Sequence, residues 1–254
     1  MKMCSKRRLT STTRTSIQLT SSRYASVIHP TLPILPPDSS SLNRLTHCPP
    51  KLREAFFLSL EGSIRSFSPR ALPHTELSLN QLLHQCVTAV DAAKHTLHDA
   101  DNSRQFYNSL VYCQSLILLA LASDRPGPAT VGSVAQILGQ LAGCIADAGL
   151  NDARTLNILK EQDREVYSTA RRVFWTAFII DRFHASGHSK DIMLPLHSGG
   201  LSRDDHVALG GDVGYNLARK YLTFYHRAKL MHLRRSRDSG PDRIPEAGEQ
   251  CAQY

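Results

Sequence analysis

Apolar positions recur at helical spacing along nearly the whole stretch from residue 51 to residue 233. In 51–67, Leu52, Phe56, Leu60, Ile64 and Phe67 follow at intervals of four and three, which places them on one helical face. The run "SPRALP" ends that helix. A second helix is predicted over 77–98, with Leu79, Leu82, Leu83, Cys86 and Val90 facing inward. A third, over 103–122, is apolar nearly all round and so predicts a central helix, closed by "DRPGP". The fourth, over 130–148, carries a stripe of Val134, Ile137, Leu138, Leu141 and Ile145, with Gly149 placed as its C-cap.

The polar segment 151–163 is expected to hold a short turn. A fifth helix is predicted over 163–184. Val166, Ala170, Val173, Ala177 and Ile180 form one stripe, and Trp175, Ile179 and Phe183 a second beside it. Such a helix packs against several neighbours. The last predicted helix runs from Ser202 to 233, with Ser202 and Asp205 spaced as a capping box. No apolar alternation of the strand type occurs. The expected fold is all-α, an irregular array of about six or more helices.

Composition changes the picture only at the ends. Residues 1–50 are rich in Ser, Thr and Pro and read as disordered, as does the tail 234–254. The helical body is therefore expected over 51–233. The formal net charge is +8, of which residues 1–37 supply +6 through Lys2, Lys6, Arg7, Arg8, Arg14 and Arg23. The remaining +2 does not mark the body as a nucleic-acid binder. The basic start would hold DNA only through phosphates, with strong salt dependence. "KRR" at 6–8 reads equally as a nuclear-import patch, and residues 1–28 share the composition of a mitochondrial presequence. No apolar run reaches the ~18 residues that span a bilayer, and "LILLALA" at 116–122 reads as core.

Candidate chemistry is sparse. The six cysteines, Cys4, Cys48, Cys86, Cys113, Cys144 and Cys251, show no zinc spacing and no close disulfide framework, which fits a reducing compartment. Asp181 and Arg182 close the fifth helix. A buried Asp181 needs a cation or several donors, and a partner on another helix is expected, in a structural ion pair or local cap. His184 and His188 stand four apart with Asp191 beyond, but Ser186 and Gly187 are expected to break the helix between them. No glutamate lies between the two histidines to act as a base, so a metal role is not expected. His95 and His98 read as a chance pair. "GSVAQILGQLAG" reads as a helix with small packing residues, because no strand precedes it. No catalytic, cofactor-binding or metal-ligating residue is assigned. An enzyme built around His184, His188 and Asp191, a helical small-molecule binder and an imported mitochondrial protein are the alternatives.

Four stretches carry a resemblance. "LREAFFLSL" at 52–60, "SVAQILGQLAGCIADAGLN" at 133–151, "RRVFWTAFIIDRFHASGHSKDIMLPL" at 171–196 and "RDDHVALGGDVGYNLARKY" at 203–221 follow in family order. Together they resemble the middle homology region of fungal zinc-binuclear-cluster transcription factors, nearest to glucose-responsive regulators of sugar-transport genes. The resemblance implies a nuclear, non-catalytic regulatory domain that controls RNA polymerase II transcription. Trp175, Asp181, Arg182 and Pro195 fall on its signature as structural positions. Members carry a six-cysteine cluster holding two zinc ions near the N-terminus. Here only Cys4, followed by "SKRR", stands in that region, so zinc is implied only for the missing cluster, and DNA contact only through it. The expectation is a fragment or truncated form, with no membrane partner. Self-association, a co-regulator and a small-molecule effector are the partners such a region implies.

Overall fold

Each long apolar repeat forms a helix, and no strand occurs among the described residues. The computed structural model describes residues 22–30, 32–35, 44–69, 77–97, 102–124, 134–188, 192–194 and 201–222. The helices are α1 (Pro50–Phe67), α2 (Leu79–Lys94), α3 (Asn102–Asp124), α4 (Val134–Asp147), α5 (Ala153–Gln162), α6 (Arg164–His188) and α7 (Arg203–Ala208). A 3-10 turn, Leu45–His47, precedes α1, and residues 212–222 are helical after α7. The fold is all-α and irregular, as the periodicity predicts.

Local chemistry sets the helix ends. Pro50 opens α1, where its missing N–H leaves no bond unmade. Ser78 and Gln81 form a reciprocal capping box at the start of α2. Gly149, at φ +64°, follows α4. The Leu150 N–H donates to the Ile145 carbonyl and the Gly149 N–H to the Ala146 carbonyl, both at 3.0 Å, which is the Schellman ending.

Three boundaries differ from the sequence reading. The polar segment 151–163 forms α5, because the Asp152 carboxylate accepts from the Thr155 N–H at 2.9 Å and caps it. α6 does not break at Ser186–Gly187 but continues to His188, with the Ser186 hydroxyl donating back to the Phe183 carbonyl at 3.0 Å. Residues 202–222 do not form one helix. Gly210 and Gly211, at φ +72° and +95°, turn the chain between α7 and the helical residues 212–222.

α3 lies at the centre, against α1, α2, α4 and α6. All residues from 110 to 120 are buried, so this part of the helix has no solvent face. By length and composition, 104–124 would pass for a membrane span, but most of it is buried inside the fold. The expectation of disorder across residues 1–50 does not hold for the described part. Tyr24, Ile28, Ile34 and Leu35 belong to the same core as α3. The Tyr24 hydroxyl accepts from the Ile34 and Leu35 N–H groups at 2.8 and 3.0 Å, and Gln114 donates to the Ile34 carbonyl at 3.1 Å. A proline-rich strap has no ladder of its own, and these side chains satisfy its backbone groups instead. Residues 1–21 and 223–254 lie outside the described residues.

Gly139 and Gly143 on α4 are not packing residues, since a Cβ at either would meet nothing within 4 Å. Each flexible glycine weakens the helix without filling a need. Gly139→Ala and Gly143→Ala are each expected to stabilise the chain by about 0.5–1 kcal/mol. Thermal unfolding checks this, and a loss of stability at either position would show a hidden close approach.

Candidate functional site

α6 organises the second half of the chain through two buried guanidinium centres. Near its start, Arg171 pairs with Asp205 of α7 by two parallel bonds, Nε to Oδ1 at 2.6 Å and Nη2 to Oδ2 at 2.7 Å. The Asp205 side chain is fully enclosed and that of Arg171 is 6% exposed. The Ser202 N–H and hydroxyl also donate to Asp205 Oδ2, at 2.7 and 2.9 Å. The capping residue read from the sequence is thus also the anion of a bidentate buried pair. Next to it, Arg172 Nε donates to the Ala208 carbonyl at 2.6 Å. The two arginines together clamp α7 onto α6.

Toward its other end, α6 carries Asp181 and Arg182. The expectation that Asp181 pairs with another helix is corrected. Its partners are the adjacent Arg182 and the N–H groups of Met193 and Leu194, at 3.0 and 3.1 Å. Arg182 Nη2 in turn donates to the Leu194 carbonyl at 2.6 Å, and its guanidinium lies 4.0 Å from the Phe178 ring centroid. The pair therefore fastens the stretch 192–194 to the helix. Both acid–base pairs are buried and tie separate stretches of the chain together.

Beside this end of α6 lies an open cavity of about 570 Å³. Its walls come from Leu32, the α1 end at Phe67, the α3 end at Leu121, the α4 start at Val134, and Leu217. α6 contributes Ile179, Ile180, Phe183 and His184. The lining is mostly apolar, with three polar groups, Asp124, His184 and Tyr221. His184 Nδ1 stands 3.8 Å from Asp124 Oδ1, an ion-pair distance. Burial pushes the Tyr221 phenol above its ordinary value, so it stays protonated and able to donate. Phe67 and Phe183, read as core from their spacing, are 36% and 57% exposed because they face this cavity.

Of the paired histidines that sequence reasoning raised, the structure describes the side chains of His95 and His184. His184 faces Asp124, which no sequence signal links to it, since 60 residues separate them along the chain. The side chains of His188, Asp191, His98 and Pro195 lie outside the described residues. Cys48, Cys86, Cys113 and Cys144 are free thiols. Among the described residues, no group of three or more His, Cys, Asp or Glu side chains is placed to hold a metal ion.

His29, on the N-terminal strap, feels the same centre. Burial, and then the nearby Arg172 charge, hold its imidazole below the ordinary 6.5. The unfolded chain binds this proton more readily than the folded one. The stability His29 contributes is therefore fully present above pH 6.5 and is lost as the pH falls below it. His29→Gln is expected to flatten the loss of stability between about pH 6.5 and 5. Urea midpoints measured across that range test this, and an unchanged slope counts against it.

A helical spine, two buried guanidinium clamps and an open cavity define an irregular all-α module. The chain belongs to the fungal specific transcription factor domain family, whose pattern matches residues 22–199. An uncharacterized transcriptional regulatory protein of Schizosaccharomyces pombe is 26% identical over 196 residues, covering 74% of this chain and 22% of the relative. The chain thus spans less than a quarter of that relative's length. No solved structure matches this chain. Both the family and this relative are transcription-regulatory.

Proposed function

We propose that this chain is the effector-sensing regulatory part of a nuclear transcription factor that controls RNA polymerase II transcription of sugar-related genes. The observation that carries the reading is the cavity at the joined ends of α1, α3 and α6, in a domain of a transcription-regulatory family. Its volume falls in the range that holds small molecules. Its lining suits a largely apolar molecule with one polar end directed to Asp124, His184 and Tyr221. A free hexose would leave too many hydroxyls unpaired in such a space. The sugar response therefore reaches this domain through a less polar effector or a protein partner. In this reading DNA is contacted by a zinc-cluster segment outside residues 22–222.

The test joins the full chain to a DNA-binding domain of known specificity, with a reporter gene in yeast. Reporter output is expected to change several-fold between glucose-rich and glucose-poor medium. Phe183→Glu, which places a charge at the cavity, is expected to abolish that change. A flat response in the unaltered fusion removes the sugar assignment. A C-terminal fluorescent tag, leaving residues 1–28 free, is expected to report the nucleus, and a mitochondrial signal would overturn that placement.

A further inference from the structure

Cys113 and Cys144 stand on neighbouring helices, α3 and α4, 31 residues apart in the chain. Their sulfur atoms are 3.1 Å apart, closer than two sulfurs sit in ordinary contact. The Cys113 thiol donates toward the Cys144 sulfur, and the Cys144 thiol points on to the Ser109 carbonyl at 3.8 Å. The two differ in access. Cys113 is fully buried, whereas Cys144 is partly exposed and lines an open surface pocket of about 250 Å³. Lys94, Gln105 and Gln140 line the same pocket, so a small polar molecule meets hydrogen-bonding groups beside the sulfur. Cys48 and Cys86 are buried, with thiols pushed up to about 11 and about 12 by desolvation, which marks them as unreactive.

We propose that Cys144 and Cys113 form a redox-modified pair, in which a hydroperoxide oxidises Cys144 and Cys113 then closes a disulfide between α4 and α3. In the first step the Cys144 thiolate attacks one peroxide oxygen. The O–O bond breaks, Cys144 becomes a sulfenic acid, and the second oxygen leaves as water or an alcohol after taking a proton. In the second step the Cys113 sulfur attacks the Cys144 sulfur. The S–S bond forms, the S–O bond breaks, and the hydroxyl leaves as water with the Cys113 proton. Two thiols are oxidised and one peroxide is reduced. The contact with Cys144, then burial, hold the Cys113 thiol well above its ordinary value, so it is not the thiol that meets the peroxide, and what lets it act second is a sulfur already 3.1 Å away.

The bond ties α4 to the central helix. α3 and α4 run antiparallel, since Asp124 and Val134 meet at the 570 Å³ cavity while Cys113, midway along α3, meets Cys144 near the far end of α4. A crosslink there fixes the pair that forms one wall of the cavity. This inference is independent of any effector.

The experiment treats the full reduced chain with hydrogen peroxide, blocks remaining thiols under denaturing conditions and maps the peptides by mass. A Cys113–Cys144 linked peptide is expected, about 2 Da lighter than the sum of its reduced halves, with Cys48 and Cys86 still blockable. Oxidation is also expected to raise the melting temperature by several degrees, and reduction to reverse it. Cys113→Ser is expected to leave a sulfenic acid on Cys144 that dimedone captures. Cys144→Ser is expected to leave Cys113 unreacted. Peroxide that leaves Cys144 reduced, or that carries it to sulfinic acid without a linked peptide in the unaltered chain, would overturn the proposal. The linked peptide is read on the unaltered chain, so a variant that fails to fold does not decide the outcome.

Discussion

Arg171→Met is expected to destabilise the chain by about 3–5 kcal/mol, the largest loss among polar substitutions here. The reason is what remains behind. Asp205 is fully enclosed, and without Arg171 its carboxylate keeps only the Ser202 N–H and hydroxyl. A buried anion with half its partners gone either stays charged without compensation or takes up a proton, and both states cost stability. The double substitution Arg171→Met with Asp205→Leu is expected to recover a substantial part of the loss, because two apolar groups need no pairing. Urea unfolding of the two single variants and the double variant measures the coupling directly. Hydrogen exchange is expected to show residues 203–222 losing protection first, since the pair holds α7 to α6. A loss below about 1 kcal/mol for Arg171→Met would place the pair among surface salt bridges and refute this account.

Trp175→Ala is expected to cost about 3–5 kcal/mol through the cavity it leaves. Trp175 is fully buried, and its ring meets Phe174 and Phe178 edge-on with centroids 5.3 Å away in each case. The Arg171 guanidinium sits 5.5 Å from its ring, so the aromatic cluster and the clamp share a wall. The indole N–H has no hydrogen-bond partner among the described residues, so truncation orphans no acceptor and the loss is one of packing. Trp175→Phe is accordingly expected to lose less than Trp175→Ala. Circular dichroism during urea unfolding checks both. Trp175 is the one tryptophan of the chain, so its emission in the unaltered protein is expected to be blue-shifted and to move red on unfolding. Emission typical of an exposed indole would contradict the buried position.

The positions most legible in the sequence were those repeated along a helix. Leu52, Phe56, Leu60 and Ile64 of α1, and Val173, Ala177 and Ile180 of α6, are buried as their spacing predicts. A stripe needs only the 3.6-residue period, which each helix carries within itself. The all-round apolar run in α3 likewise placed it at the centre. The N-terminal strap was not legible in this way. Ser, Thr and Pro give it the composition of disorder, and it is held by Tyr24 and Gln114, whose hydrogen bonds reach across 10 and 80 residues. The polar α5 was missed because its apolar stripe is thin, with Leu156 its buried residue.

What the sequence by itself determined is the helical class, the central place of α3, the capping at Gly149 and Asp205, and the resemblance that led to a fungal transcription-regulatory family. What only the tertiary structure decided is where each stripe ends. Phe67, Val134 and Phe183 continue their stripes in register, yet they line a cavity, because the ends of α1, α3 and α6 and the start of α4 meet there without filling the space. The same holds for polar pairs. Asp181 looked for a partner on another helix and found Arg182 and two amides of the following stretch, while Asp205 looked like a cap and became the counter-ion of Arg171. Periodicity is a property of one helix and is written locally. Partnership and empty space arise between helices, and no local pattern encodes them.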